Sequence, residues 1–148
     1  MQEAIQRPSR QHPRVKLDTD HLEYLNYFED LTGAEVKDCF TYHDKITFII
    51  ANGDLGLALG KNAMNIDQAE TRLGQDIKVV EYDENPADFL YNFLQPLDVD
   101  DVTDDDGLLT ITPENDRAKG IIIGRGGNHI ERIQDVMSRH FDYDRITV

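Results

Sequence analysis

The chain has no tryptophan, a single cysteine and only six lysines among 148 residues. Each shortage excludes something. One thiol, Cys39, cannot close an intrachain disulfide, and its apolar neighbours Val36 and Phe40 mark it as a core residue. The five histidines, His12, His21, His43, His129 and His140, lack the Cys/His spacing of a zinc site, so no metal is expected. No Ser/His/Asp, Cys/His or paired-carboxylate set falls on one local scaffold, and the chain reads as a non-enzyme without a cofactor. There is no run of about 20 apolar residues and no apolar core in the N-terminal MQEAIQRPSRQHPRV, so no membrane partner is expected and a soluble, cytoplasmic protein is.

The scarcity of lysine belongs to a wider deficit of positive charge. Fifteen Lys and Arg face 29 Asp and Glu, for a net charge of −14, and the acid is mostly Asp, spread along the chain. With 39% hydrophobic residues the chain can still bury a core. The Asp bias fits a protein working in high salt. A net negative charge repels polyanions, so any nucleic-acid binding has to rest on local positive charge. Residues 1–16 supply some: Arg7, Arg10, Arg14 and Lys16 stand against Glu3 alone. Pro8, Pro13 and the lack of apolar periodicity make 1–16 a flexible basic arm, either a solvated terminus or a supplementary RNA contact.

What the chain does have is an internal repeat at an offset of 64 residues. Gly56-Leu-Ala-Leu-Gly60-Lys-Asn-Ala-Met-Asn-Ile66 aligns without gaps on Gly120-Ile-Ile-Ile-Gly124-Arg-Gly-Gly-Asn-His-Ile130. Apolar residues then continue in register, Ile66, Ala69 and Leu73 against Ile130, Ile133 and Met137, on one face of a helix. Ahead of the first copy, Leu22, Leu25, Phe28 and Leu31 predict a helix over 18–32, with Asp18, Thr19 or Asp20 as cap and Gly33 as stop. Strands at 35–42 and 45–51 follow around His43-Asp44, then a short helix near 54–59, the loop, a helix at 64–73 and a strand near 76–82. The second copy predicts a helix at 86–94 behind Asn85-Pro86, strands near 97–103 and 107–112 around the turn Asp104-Asp105-Asp106-Gly107, a helix near 114–123, a loop at 124–127, a helix at 128–140 and a strand at 144–148. The expected fold class is α+β: two αββααβ modules, 17–83 and 84–148, whose short junction suggests that they pack together.

Gly124-Arg125-Gly126-Gly127, between helices, resembles the GxxG loop of a KH domain. A lone pair of such glycines is commonly just a helix stop, but two copies in the same setting are not. Glycine admits unusual dihedrals and close approach of phosphate, and the following helix N-terminus favours an anion. A dinucleotide-binding loop is excluded because His129 stands where the third glycine belongs, and a P-loop because no Gly-Lys-Ser/Thr occurs. Only one strand fits after each loop and helix, so both modules match the prokaryotic (type II) KH arrangement, and over about 17–148 the chain resembles the archaeal NusA-like transcription factors.

That resemblance implies single-stranded RNA binding in transcription termination, antitermination or elongation, with RNA polymerase as a partner and a monomer as the default state. It assigns RNA contact to Gly124, Arg125, Gly126, Gly127 and Asn128 and, in the first module, to Gly60, Lys61, Asn62 and Ala63. Leu59, Ile66, Ile123 and Ile130 would line the base-facing groove while also packing the core. Ala63 departs from the glycine pattern, and poorer phosphate approach is expected there. Arg132 joins this set because Arg125, Arg132 and Arg139 recur every seven residues, on a stripe that is otherwise simply solvated. The acidic run from Asp98 to Asp106 reads as a solvated turn or a partner-facing surface. Two other functions stay open: a KH protein of ribosome assembly or RNA turnover, and a protein-interaction scaffold with weak RNA affinity.

Overall fold

The computed structural model describes residues 17–148; the basic arm expected over 1–16 lies outside them. The described chain divides into two compact units between Asp83 and Glu84. No described helix is long and apolar enough to cross a membrane.

The first unit opens with α1 (Thr19–Thr32), whose first-turn amide at His21 donates to the Asp18 carboxylate at 2.8 Å. Gly33 ends it in the left-handed region at φ 77°. Strands β1 (Val36–Tyr42) and β2 (Lys45–Ile50) form the expected hairpin, and β3 (Ile77–Glu81) pairs parallel to β2, giving the order β1-β2-β3. Two helices, α2 (Leu55–Leu59) and α3 (Met64–Leu73), stand between β2 and β3. The core gathers Phe28, Cys39, Ile46, Phe48, Ile50, Ala58, Ala69 and Ile77, with the Phe28 and Phe48 rings stacked at 4.3 Å. Cys39 is in no disulfide and is buried, as expected of a core thiol. Leu22 does not join the core face of α1: it is 48% exposed, and Tyr24, Leu25, Tyr27 and Leu31 pack beside Phe28 instead. The face rotates toward the tyrosines because their rings cover more apolar surface than a first-turn leucine.

The second unit repeats this order. Asn85 caps α4 (Pro86–Leu94) by accepting from the amides of Ala87 and Asp88, with Pro86 at the first turn. Strands β4 (Val99–Asp105) and β5 (Leu108–Pro113) are antiparallel, and β6 (Arg145–Thr147) runs parallel to β5. Helices α5 (Asp116–Ile123) and α6 (Asn128–Ser138) lie between them. The hairpin is shifted relative to the sequence expectation. Its turn contracts to Asp106-Gly107, at φ 52° and 96°, and Asp104 and Asp105 belong to β4, where they are exposed with Asp100 and Asp101. Cross-strand pairing that buries Val99 and Val102 overrides the poor strand propensity of Asp.

The repetition reaches detail that the 64-residue alignment does not cover. A bulge interrupts the edge strand in the same place in both units, between Val36 and Asp38 and between Val99 and Asp101. After each bulge an aspartate accepts from the next amide: Asp38 from Cys39 at 2.8 Å and Asp101 from Val102 at 2.9 Å.

Candidate nucleic-acid interface

Helix α2 ends at Gly60 and α5 at Gly124, both by a backbone bond to the residue four earlier. Their dihedrals, φ 72° ψ 179° and φ 76° ψ 171°, lie in a region that only glycine occupies readily. One residue of tight helical turn follows, then two left-handed residues: Asn62 and Ala63 at φ 55° and 58°, Gly126 and Gly127 at φ 62° and 79°. The two loops therefore share one backbone form, although the first has no glycine at its left-handed positions. Asn is among the side chains that tolerate this region, whereas Ala63 holds it at a cost of about 1 kcal/mol. Alanine at this position does not deflect the chain from the shared form.

The glycines divide by role. A Cβ on Gly124 would come within 2.7 Å of the His129 backbone nitrogen, and one on Gly60 within 2.7 Å of the Asn65 amide nitrogen. The first glycine thus makes room for the helix after the loop. At Gly126 a Cβ would meet nothing within 4 Å, so that side of the loop is open to a ligand.

The helices behind the loops have no side-chain cap: the amides of Met64 and Asn128 donate instead to the Lys61 and Arg125 carbonyls of the loops. Helices α1, α4 and α5 carry side-chain caps, from Asp18, Asn85 and Asn115, but α3 and α6, like the short α2, carry none. Among the described residues the amides of Lys61, Asn62, Arg125 and Gly126 donate to no acceptor. Uncapped amides at the positive end of a helix, with an exposed cation on the loop, suit an anion. Lys61 and Arg125 are those cations, both exposed. The charge around the second loop is more favourable: from Arg117 to Ile130 there are three cations, Arg117, Lys119 and Arg125, and no carboxylate, although Asp116 and Glu131 flank the stretch. The matching stretch of the first unit has Lys61 and Asp54, and the Asp54 carboxylate already accepts from the Glu35 amide at 2.9 Å.

Leu59, Ile66, Ile123 and Ile130 are all partly buried, so each can pack and still present an edge. Ile66 lies against the first unit's core. More open apolar surface sits beside them on Leu57, Met64 and Ile121, exposed by 52%, 59% and 44%. Asn128 begins α6 exposed, and Arg132 is exposed one turn further along it. Sequence reasoning missed one pair. Asn65 Nδ2 donates to the Leu57 carbonyl at 3.0 Å, and His129 Nδ1 meets the Ile121 carbonyl at 2.8 Å. These are the same two columns of the repeat, and the shared column of donors was the available signal. Among the described residues no group of three or more His, Cys, Asp or Glu is arranged to hold a metal ion.

A KH domain family model matches residues 25–85. The chain is 36% identical over 135 residues to the "Probable transcription termination protein NusA" of Halococcus morrhuae, covering 90% of this chain and 97% of that protein. It is 33% identical over 129 residues to the protein of the same name from Methanococcus vannielii, covering 85% of this chain and 75% of the relative. The crystal structure of APE1850 superposes with a TM-score of 0.64 at 24% identity, over 88% of this chain and 99% of the other, which is a likeness of fold.

Proposed function

The chain belongs to the archaeal NusA-like family, and on that premise we propose that it is an RNA-binding transcription factor whose two units are tandem type II KH modules clamping single-stranded RNA at their loops. The observation that carries this reading is the repeated loop: an uncapped helix N-terminus, unpaired amides at Arg125 and Gly126 or Lys61 and Asn62, and a cation beside them. Phosphate is the ligand such a loop fits. The partly exposed Ile123, Ile130, Leu59 and Ile66 then face the bases, which supports contact with an unpaired strand whose bases are free to leave the stack. Arg125, Gly126, Gly127 and Asn128 form the stronger clamp, extended by Arg132, and Gly60 to Ala63 the second. RNA polymerase is the proposed protein partner, in termination or antitermination, and the protein acts as a monomer.

The test is fluorescence anisotropy of short labelled single-stranded RNAs with the protein and with the double variant Arg125→Asp/Gly126→Asp. Aspartate tolerates the left-handed position, as Asn62 does in the first loop, so the variant keeps its fold. Affinity should fall at least tenfold, in line with roughly 1.5–3 kcal/mol for a charge-assisted contact. Unchanged affinity overturns the second loop as the principal clamp.

A further inference from the structure

We propose that Asn65 and His129 are positioning residues which, by clasping the helix ahead of each loop to the helix behind it, hold the loop in its phosphate-receiving form. The inference rests on the RNA-binding reading and adds to it what decides whether a loop is competent.

The two side chains stand 64 residues apart in the repeat and make the same contact to carbonyls that also stand 64 apart, Leu57 and Ile121. Asparagine Nδ2 and histidine Nδ1 are both donor nitrogens two bonds beyond Cβ, so two chemically different residues deliver a proton to one place. Each accepting carbonyl lies in the last turn of its helix, where no intrahelical partner remains. His129 donates from Nδ1, which carries hydrogen in one neutral tautomer and in the cation alike. The bond is sheltered: His129 is 9% exposed and Asn65 partly buried.

A clasp there fixes the angle at which α3 leaves α2 and α6 leaves α5, and so the convergence of the amides at 61–62 and 125–126. It also explains the first glycine, whose missing Cβ leaves the space that Asn65 or His129 fills. The remaining loop residues then need not be glycine. Asn62 and Ala63 reach the same left-handed form as Gly126 and Gly127 while the clasp is present, so the first loop is a competent clamp.

The test uses the full chain with Asn65→Leu and His129→Leu, which keep size and remove the donor, and the exchanges Asn65→His and His129→Asn, which give each unit the other's donor. RNA affinity is measured by anisotropy at a temperature where circular dichroism shows each variant folded, and hydrogen exchange follows the hydrogen-bonded amides of each loop, Ala63 and Met64 in the first unit and Gly127 and Asn128 in the second. The leucine variants should bind about fivefold more weakly, the factor for losing one hydrogen bond. Their loop amides should exchange faster in the altered unit only, and the exchanged donors should restore both readouts. Full affinity in the folded leucine variants, with binding still lost in Arg125→Asp/Gly126→Asp, overturns the clasp and leaves the RNA reading standing. Full affinity in the charge-reversal variant as well overturns the second loop as the principal clamp, whereas no affinity of the unaltered chain for any of the RNAs overturns the RNA reading, and the clasp's role with it. If His129→Leu does not fold, Asn65→Leu at the more open site carries the same comparison.

Discussion

At Gly124 two independent penalties meet: dihedrals that only glycine adopts readily, and a neighbouring helix that leaves no room for a methyl group. Gly124→Ala should therefore cost more than about 2 kcal/mol in a urea titration, since strain in this region alone is of order 1–3 kcal/mol. Gly126→Ala should cost about 1 kcal/mol, because its Cβ projects into open space and only the left-handed dihedral is strained. The reverse change in the first unit, Ala63→Gly, relieves a strained residue. It should stabilise that unit by no more than about 0.5 kcal/mol, after the greater freedom of glycine in the unfolded chain is set against the relief. Legibility at this scale was partial. The loop's place and its glycines could be read from the repeat, but not that the first glycine faces a helix and the third position an empty side. That distinction depends on where residue five after the glycine returns in space.

Elements are legible where their signals are local. Asp18, Gly33, Asn85 and Pro86 mark helix ends through bonds made within a few residues, and the structure uses them as caps and stops. The packed face of α1 and the reach of β4 were not legible in the same way. Leu22 fits a helical period but lies beyond the area the sheet covers, and Asp104 and Asp105 read as turn residues until their pairing with Leu108 and Leu109 is known. One element still carries strain that sequence chemistry can relieve. The β1–β2 turn places His43 and Asp44 at φ 51° and 62°, both positive, which is the two-residue turn that Asn-Gly satisfies best. His43→Asn combined with Asp44→Gly should stabilise the first unit by about 1 kcal/mol, seen as a later urea midpoint with an unchanged slope.

Charge acts over the whole molecule, and here it opposes the proposed ligand. Part of the acid is committed to the fold: Glu29, Asp54, Glu70 and Glu81 accept from the amides of Val36, Glu35, Ile77 and Gly53 at 2.8–3.0 Å. Those carboxylates add to a net charge of −14 that repels itself and repels RNA. Salt therefore works in two directions on binding. It weakens the local contacts at Lys61 and Arg125 through counterion release, by a log–log slope of roughly −0.7 for each phosphate on a single strand. It also screens the overall repulsion, since the Debye length falls from about 10 Å at 0.1 M to about 3 Å at 1 M. Two phosphate contacts alone would cut affinity about 25-fold over that range. The measured loss should be smaller, and the melting temperature should rise over the same interval as self-repulsion is screened. Anisotropy titrations and thermal melts from 0.1 to 1 M potassium chloride check both. A loss well beyond 25-fold would mean that RNA meets the protein through a wider basic surface than the two loops provide, and a falling melting temperature would mean that the acidic residues do not repel enough to matter for the fold.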